Sequence, residues 1–209
     1  MMFRPNVITG PTKEPVSTEE VRVHLNIDEL DDLKANDQQE DKLTSFIKAA
    51  RFYMEATCGR TIHEQTLELV LHRWPAEREI ILPRATPLID ITSLAYKDST
   101  EASSTVAASE YIADVDQTPG RLVLGYGKSW PSATLSPASP IKVRYRAGIA
   151  TSSPVAECGD EIKTPILLLV GGMWENRESE VMTDMKAIEA MAMRYGINKM
   201  LTELLVTGC

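Results

Sequence analysis

The chain contains few of the residues that form disulfide scaffolds or metal sites. Among its 209 residues there are three cysteines and three histidines. Cys58, Cys158 and Cys209 are widely spaced and form no CxxC pair, so the pattern indicates a reducing compartment and argues against a disulfide-stapled domain. Positive charge is also scarce, because 22 Lys and Arg face 30 Asp and Glu and the formal net charge is −8. That balance argues against a protein that wraps nucleic acid.

Long apolar runs are lacking as well. Residues 1–10 contain no apolar h-region, so we expect no signal peptide. The run Ile166–Val170 is too short to cross a membrane, and Gly171 and Gly172 interrupt it, so we expect no membrane-spanning segment. The composition, 43% hydrophobic and 25% charged, is typical of one globular domain with room for an inserted lobe.

Helix signals occur at both ends of the chain. Ser17 and Glu20 have the spacing of a capping box and predict a short helix to about Leu25. After an acidic connector, the same spacing recurs from Asp37 and predicts a longer helix that Gly59 ends in a left-handed cap. Its predicted buried stripe has helical spacing and comprises Leu43, Phe46, Ile47, Ala50, Met54 and Thr57. A further helix is predicted with Thr164 as its N-cap and Pro165 at its first position, and helix signals continue with breaks to Leu205.

Strand signals fill the middle of the chain, where the apolar period changes to two. The predicted strands are 66–72, 79–82, 89–96, 111–112, 121–124 and 141–145, with 79–82 expected to pair with 66–72. Residues 129–140, rich in Pro, Ser and Ala, are predicted to form a loop. The sequence therefore predicts an α+β fold, in which N-terminal helices (1–65) and C-terminal helices (149–209) form a helical bundle and a β-rich lobe (66–148) is inserted between them.

Two short motifs suggest chemistry that their surroundings argue against. Gly127-Lys128-Ser129 resembles the end of a phosphate-binding loop, but Leu122 occupies the place of the required glycine and Trp130-Pro131 cannot open the helix, so a turn is predicted. His63-Glu64 begins a zinc-protease pattern that lacks its second histidine, so a surface loop is predicted.

The remaining polar candidates predict no catalytic, cofactor or metal site. The acids Asp28, Glu29, Asp31 and Asp32 lack the ligand spacing and turn glycine of a calcium loop. His24 and His72 have no serine, cysteine or carboxylate at a spacing that suggests a relay, which leaves open only a site assembled in space. We therefore expect no bound cofactor.

One polar cluster suggests an interface. Trp174, Glu175, Asn176, Arg177 and Glu178 follow the apolar run directly. On a helix, the planar guanidinium of Arg177 would share a face with Trp174 and is suited to an ion pair between helices or subunits. A solvated helix end with an inward-facing tryptophan is the alternative, which explains Trp174 well but explains less well why the four polar residues after it are adjacent.

Several stretches, in order, resemble the head–tail connector (adaptor) proteins of long-tailed phages and of the related gene transfer agents. They are residues 16–25, Lys48–Arg60 with its Thr-Cys-Gly-Arg ending, Gln65–Leu71 with Trp74-Pro75, Ile80–Leu88 with its Leu-Pro-Arg element, Val143–Gly148 with its Ala-Gly pair, and Leu167–Glu178 ending in Glu-Asn-Arg-Glu. Each piece is weakly specific, but their order and coverage make the resemblance specific. Gly171–Trp174 and the tail, which lacks the usual Arg-ending segment, depart from the family pattern.

The resemblance implies a non-enzymatic virion protein of the neck, assembled in the host cytoplasm. Such a subunit belongs to a ring, generally twelve-fold, that docks on the portal, extends the DNA channel and carries the stopper or tail proteins. Its partners would be copies of itself, the portal protein and a stopper or tail-terminator protein, with genomic DNA passing without specific binding. The acids Asp28, Glu29, Asp31 and Asp32 would then contribute to the lumen or its rim, where carboxylates repel DNA.

Two other functions remain open at this stage. The chain can be another head-completion, stopper or tail-completion protein, which would also be non-enzymatic. It can also be a small enzyme whose site is assembled only in space, which predicts a deep pocket with a shifted histidine or carboxylate pKa.

Overall fold

The computed structural model describes residues 5–27, 33–150, 159–175, 188, 189, 192 and 197. The chain divides into two compact units. The β unit comprises Met1–Thr12 and Gly59–Ala156, and the helical unit comprises Lys13–Cys58 and Glu157–Cys209. The predicted lobe, 66–148, lies inside the longer segment of the β unit.

The described residues of the β unit form two antiparallel sheets. The strands are β1 (Asn6–Thr9), β2 (Gln65–Leu71), β3 (Glu79–Ile81), β4 (Leu88–Lys97), β5 (Ser103–Thr105), β6 (Tyr111–Asp114), β7 (Arg121–Leu124) and β8 (Ile141–Ala147), with one 3₁₀ turn at Ala108–Glu110. The large sheet has the order β1-β2-β8-β4-β5, and the small sheet has the order β3-β7-β6. All the pairings within them are antiparallel.

Both sheets contribute to one apolar core. Strand β8 alternates strictly, with Ile141, Val143 and Tyr145 buried and the residues between them facing outward. The large sheet buries a leucine-rich set that includes Leu67, and the small sheet buries Leu122 with its neighbours in the same cluster. Because the inner faces share this core, the outer faces of the two sheets point away from each other.

The pairing of the strands differs from the sequence prediction in one respect. Strand β3 was expected to pair with β2, which is wrong, because β3 pairs with β7 in the small sheet. Strand β2 pairs with β1 on one side and β8 on the other. Both edge strands of the large sheet, β1 and β5, were missed, because four- and three-residue polar or exposed strands carry little periodic signal. The loop 129–140 is confirmed, since it contains no strand or helix.

The helical unit contains α1 (Thr18–Leu25), α2 (Leu33–Cys58) and α3 (Asp160–Glu175), and each helix packs against the other two. The capping box is confirmed: the Glu20 amide donates to Ser17 Oγ over 3.1 Å, and the Ser17 amide donates to Glu20 Oε2 over 2.7 Å. Gly59 follows α2 with φ +63°, as predicted for a left-handed cap.

The starts of the two longer helices were predicted wrongly. Helix α2 begins at Leu33, four residues before the predicted cap at Asp37. Helix α3 begins at Asp160, so Thr164 is not its N-cap and Pro165 lies inside the helix. Proline removes one backbone donor, but Pro165 lies early in the helix and is buried. Gly171 and Gly172 do not break the helix.

Ion pairs join the elements of the helical unit. Arg51 on α2 pairs with Glu14 over 2.7 Å and with the buried Glu55 over 3.1 Å. Lys163 on α3 pairs with Glu20 on α1 over 2.8 Å. The protein is thus a mixed α/β chain with three helices and two antiparallel sheets among its described residues, which confirms the α+β class.

Candidate interaction surfaces

The two units differ sharply in charge. By sequence, the β unit has 11 Lys and Arg against 10 Asp and Glu, for a net charge of +1. The helical unit has 11 Lys and Arg against 20 Asp and Glu, for a net charge of −9. The acidity of the chain therefore belongs to its helical segments, and the β unit is close to neutral.

Most of the residues singled out in the sequence lie outside the described part of the chain. This holds for the acids Asp28, Glu29, Asp31 and Asp32 and for Asn176, Arg177 and Glu178 of the polar cluster. Trp174 and Glu175 are described at the end of α3, where Trp174 is half-buried and Glu175 is exposed. The proposed roles of these residues stay predictions.

The chemical motifs have structural roles in the β unit. Gly127 lies in a turn with φ +71°, as predicted, and Lys128 Nζ beside it donates to Glu110 Oε1 over 2.9 Å. His63 was expected in a surface loop, which is wrong. It is buried and forms an isolated parallel bridge with Ile149.

Among the described residues, no three His, Cys, Asp or Glu side chains are grouped so that they could hold a metal ion. Within the same residues, no helix is both long and apolar enough to span a membrane.

The outer face of the large sheet carries a pair of cations on one carboxylate. Arg144 on β8 lies directly opposite Glu68 on β2. Arg144 Nε donates to Glu68 Oε2 over 2.7 Å, and Lys142 Nζ lies 3.3 Å from Glu68 Oε1. The Glu68 side chain is 6% exposed, whereas Lys142 and Arg144 are 44% and 48% exposed. The buried carboxylate thus lies beneath two half-exposed cations.

The pKa of Glu68 reflects this arrangement. Burial raises the pKa of the Glu68 carboxyl, but hydrogen bonds from Arg144 and Lys142 lower it more, so that the net pKa lies below its ordinary value. Glu68 is therefore ionised at neutral pH, and one of the two cations above it has no carboxylate of its own in this network.

Further along β8, carboxylates outnumber cations. Arg146 pairs with Asp90 on β4, and Arg146 Nη1 donates to Glu64 Oε1 over 2.8 Å. The hydrogen bonds to Asp90 and then Glu64 raise the pKa of Arg146. The outer face therefore changes along β8 from an excess of cations at Lys142 to an excess of carboxylates at Arg146.

The outer face of the small sheet has the opposite stoichiometry and is more apolar. Arg121 at its centre pairs with Glu79 over 2.8 Å and with Asp114 over 3.0 Å, so two carboxylates share one cation. Ile81 and Ile112 on the flanking strands are 56% and 58% exposed. Side chains of this kind are usually buried, so the face combines an ion triad with uncovered isoleucines.

An aromatic cluster and a projecting tyrosine complete the β unit. Trp74 stacks on Trp130 with ring centroids 5.1 Å apart, and Tyr96 meets Trp74 edge-on. Trp130 Nε1 donates to the Glu77 carbonyl over 2.9 Å. Tyr126, in the turn beside Gly127, is fully exposed.

This arrangement of sheets and helices matches known structures. The fold is shared with neck components of a gene transfer agent. A chain of "Neck of empty GTA particle computed with C6 symmetry" matches with a TM-score of 0.66 and 20% identity over 84% of each chain. A chain of "Virion of native gene transfer agent (GTA) particle" matches with a TM-score of 0.62 and 22% identity over 84% of each chain. A chain of "Neck of native GTA particle computed with C12 symmetry" matches with a TM-score of 0.63 and 20% identity, again over 84% of each chain.

The structural match confirms at the level of the fold the resemblance that the sequence fragments carry. No protein-family profile matches the sequence, and no curated protein is significantly similar to it. At about one identical residue in five, the likeness identifies the architecture and does not by itself assign residue roles.

Sequence reasoning missed the paired surfaces of the β unit. Strict alternation in β8 already indicated that Lys142, Arg144 and Arg146 face outward together. Their carboxylate partners are Glu68 on β2, Asp90 on β4 and Glu64 just before β2, which lie 56 to 82 residues away. The strand pairing had to be known before the partners could be named.

Proposed function

We propose that the chain is a structural subunit of a ring in the neck of a phage or gene transfer agent particle. In this role it docks on the portal, extends the DNA channel and provides the platform for stopper or tail proteins. The observation that carries the proposal is the likeness of fold over 84% of both chains to neck components. We propose twelve copies per ring, because one of those necks was computed with C12 symmetry.

The proposal includes a structural rather than catalytic role. The two sheets and the three helices of the described residues are built around buried apolar side chains, and several ion pairs join their elements. Such an arrangement favours rigidity, which a ring subunit needs to keep its contacts in register. The proposal also takes the N- and C-terminal helices as one bundle with the β-rich lobe inserted.

The charge partition supports a role for the helical unit beside the DNA. A surface that conducts DNA has to repel it weakly, because clustered Lys and Arg would bind the phosphates. The helical unit has a net charge of −9, whereas the β unit has +1. We therefore assign the lumen or its rim to this unit, with Asp28, Glu29, Asp31 and Asp32 among the contributing carboxylates, and the virion neck as the location.

The test is direct assembly on the portal. Purified chain is mixed with portal rings and imaged by electron microscopy, and the expected result is an added ring of density on the portal. Particles produced without the chain are expected to fill with DNA but to lack attached tails. The proposal is overturned if those particles mature normally. Density that appears only at the tail end would instead indicate a stopper or tail-completion protein.

A further inference from the structure

The two outer faces of the β unit are complementary. The large-sheet face consists of Lys142 and Arg144 above Glu68, and the small-sheet face consists of the Glu79–Arg121–Asp114 triad with Ile81 and Ile112. One has two cations for one carboxylate, and the other has two carboxylates for one cation. Each network is therefore short of the charge that the other has in excess.

The apolar parts of the two faces also correspond. Val70 on β2 and Ala95 on β4 lie directly opposite Lys142 in the register of the large sheet, so they share its outer face. On the small sheet, Ile81 lies directly opposite Arg121. Each face thus sets apolar side chains beside its unbalanced ion network, so contact between the two faces would bury apolar surface next to paired charges.

The two faces point in opposite directions, because both sheets pack onto one core. A subunit with complementary patches on opposite sides forms head-to-tail contacts, and head-to-tail contacts close into a ring when the rotation per subunit permits it. A single self-complementary patch would give a two-fold dimer instead. Charge complementarity also steers the correct register of such contacts.

We propose that the large-sheet face of one copy binds the small-sheet face of the next copy. This inference rests on the ring proposed above and names the surfaces that close it. Lys142 of one copy then pairs with Asp114 or Glu79 of its neighbour, and Val70 and Ala95 cover Ile81 and Ile112. We assign the contact to the Lys142 end of β8, because Arg146 at the other end is already paired with two carboxylates, Glu64 and Asp90.

A nucleic acid is a poorer occupant of the large-sheet face. Three basic residues on β8 face outward, but three carboxylates pair with them. A phosphate-binding surface gains affinity from uncompensated cations, whereas the single excess cation at the Lys142 end of this face is offset by the extra carboxylate at the Arg146 end. A neighbouring carboxylate matches that single excess charge.

The test uses cysteine cross-linking in assembled particles. In a chain in which Cys58, Cys158 and Cys209 are replaced by alanine, Val70→Cys and Ile112→Cys are introduced together, and a short bis-maleimide is added to purified particles. Head-to-tail contact gives a ladder of covalent multimers from the double variant and no dimers from either single variant. As the matched control, Val7→Cys on β1 replaces Val70→Cys and gives no ladder, because Val7 is also exposed but lies opposite the core residue Leu67, on the other face of the same sheet.

A charge swap supplies the second readout. Lys142→Glu is expected to abolish the ladder, and Asp114→Lys in the same chain is expected to restore it, with circular dichroism confirming that both variants fold. Dimers from Ile112→Cys alone, or no ladder although the chain is present in the neck, would overturn the interface and leave the proposed function standing. Absence of the chain from the necks of particles would overturn the function, and this inference with it.

Discussion

Gly148 lies against the backbone of His63. Gly148 has φ +103°, and a Cβ at this position would come within 2.5 Å of the His63 carbonyl carbon and 2.9 Å of the Glu64 amide nitrogen. The close approach permits two backbone hydrogen bonds, from the Glu64 amide to the Ile149 carbonyl over 3.1 Å and from the Ile149 amide to the Ile62 carbonyl over 2.8 Å. These bonds fasten the segment after α2 to the end of β8.

We therefore expect Gly148→Ala to destabilise the fold by about 3 kcal/mol, since it combines a disfavoured φ with a clash against backbone that cannot move aside. The measurement is the free energy of unfolding in urea. Gly127→Ala is the matched control, because Gly127 has φ +71° but open space around it. Its cost should be about 1 kcal/mol, that of the φ alone. Equal losses in the two variants would contradict the role of the close contact.

The capping box of α1 is expected to contribute measurably to stability. Ser17→Ala removes the acceptor for the Glu20 amide and should cost about 1 kcal/mol. The control is Ser45→Ala on α2, where the hydroxyl donates only to the Asp41 carbonyl one turn earlier. Such back-bonding does not stabilise a helix, so no loss is expected there. Thermal unfolding of both variants distinguishes the two cases, and a loss at Ser45 equal to that at Ser17 would contradict the prediction.

The capping box also illustrates what the sequence revealed and what it did not. Ser17 and Glu20 are three residues apart, so the signal is local and the helix start was predicted correctly. The same local rule failed at Asp37, because α2 begins one turn earlier, and at Thr164, because Pro165 is accommodated inside α3. Propensity is a weak signal where tertiary packing extends a helix past its apparent cap.

Non-local relations were out of reach of sequence reasoning. The strand β3 was assigned to the wrong neighbour because short strands near in sequence are the default partners, whereas β3 joins β7 some 40 residues later. The burial of His63 depends on its bridge to Ile149 at the far end of the lobe. The resemblance to connector proteins, by contrast, used the order of many weak pieces and predicted the architecture that these pairings build.

The ion pair of Glu55 with Arg51 predicts a large loss when its cation is removed. Glu55 is almost completely buried and Arg51 is largely buried. Arg51→Met removes a charge partner 3.1 Å from a carboxylate that remains away from water, which should cost about 3 kcal/mol. Lys48→Met, at an exposed position of the same helix, should leave stability nearly unchanged. Urea unfolding at pH 7 measures both, and a small loss at Arg51 would show that the carboxylate is adequately satisfied without it.

The cation pair on Glu68 predicts a pH-dependent stability. The folded pKa of Glu68 lies below its ordinary value near 4.5. A depressed folded pKa contributes stability above the unfolded pKa, and this contribution disappears as the pH falls through the folded pKa. The difference in unfolding free energy between the wild type and Glu68→Gln should therefore be constant near pH 7 and shrink below about pH 4.5.

The matched control for Glu68 is Glu77→Gln, at an exposed carboxylate after β2. Its effect on the unfolding free energy should be small at every pH. Urea titrations at a series of pH values give both curves. If the difference caused by Glu68→Gln stays the same at pH 3.5 and pH 7, the cations do not stabilise the ionised carboxylate.

The assignment of the acidic helical unit to the DNA channel predicts an effect on genome release. Asp31→Lys together with Asp32→Lys changes the charge of each subunit by +4, and a ring multiplies that change by its number of copies. Cations in a channel bind phosphates and release their counterions, so DNA ejection should slow, and added salt should partly restore its rate.

The control is Glu77→Lys with Asp116→Lys, the same charge change on the β unit, which should leave ejection unaffected. The measurement is the rate of DNA release from purified particles with equal neck occupancy. Unchanged release by the first variant, or equal slowing by both, would show that these acids do not line the path of the DNA.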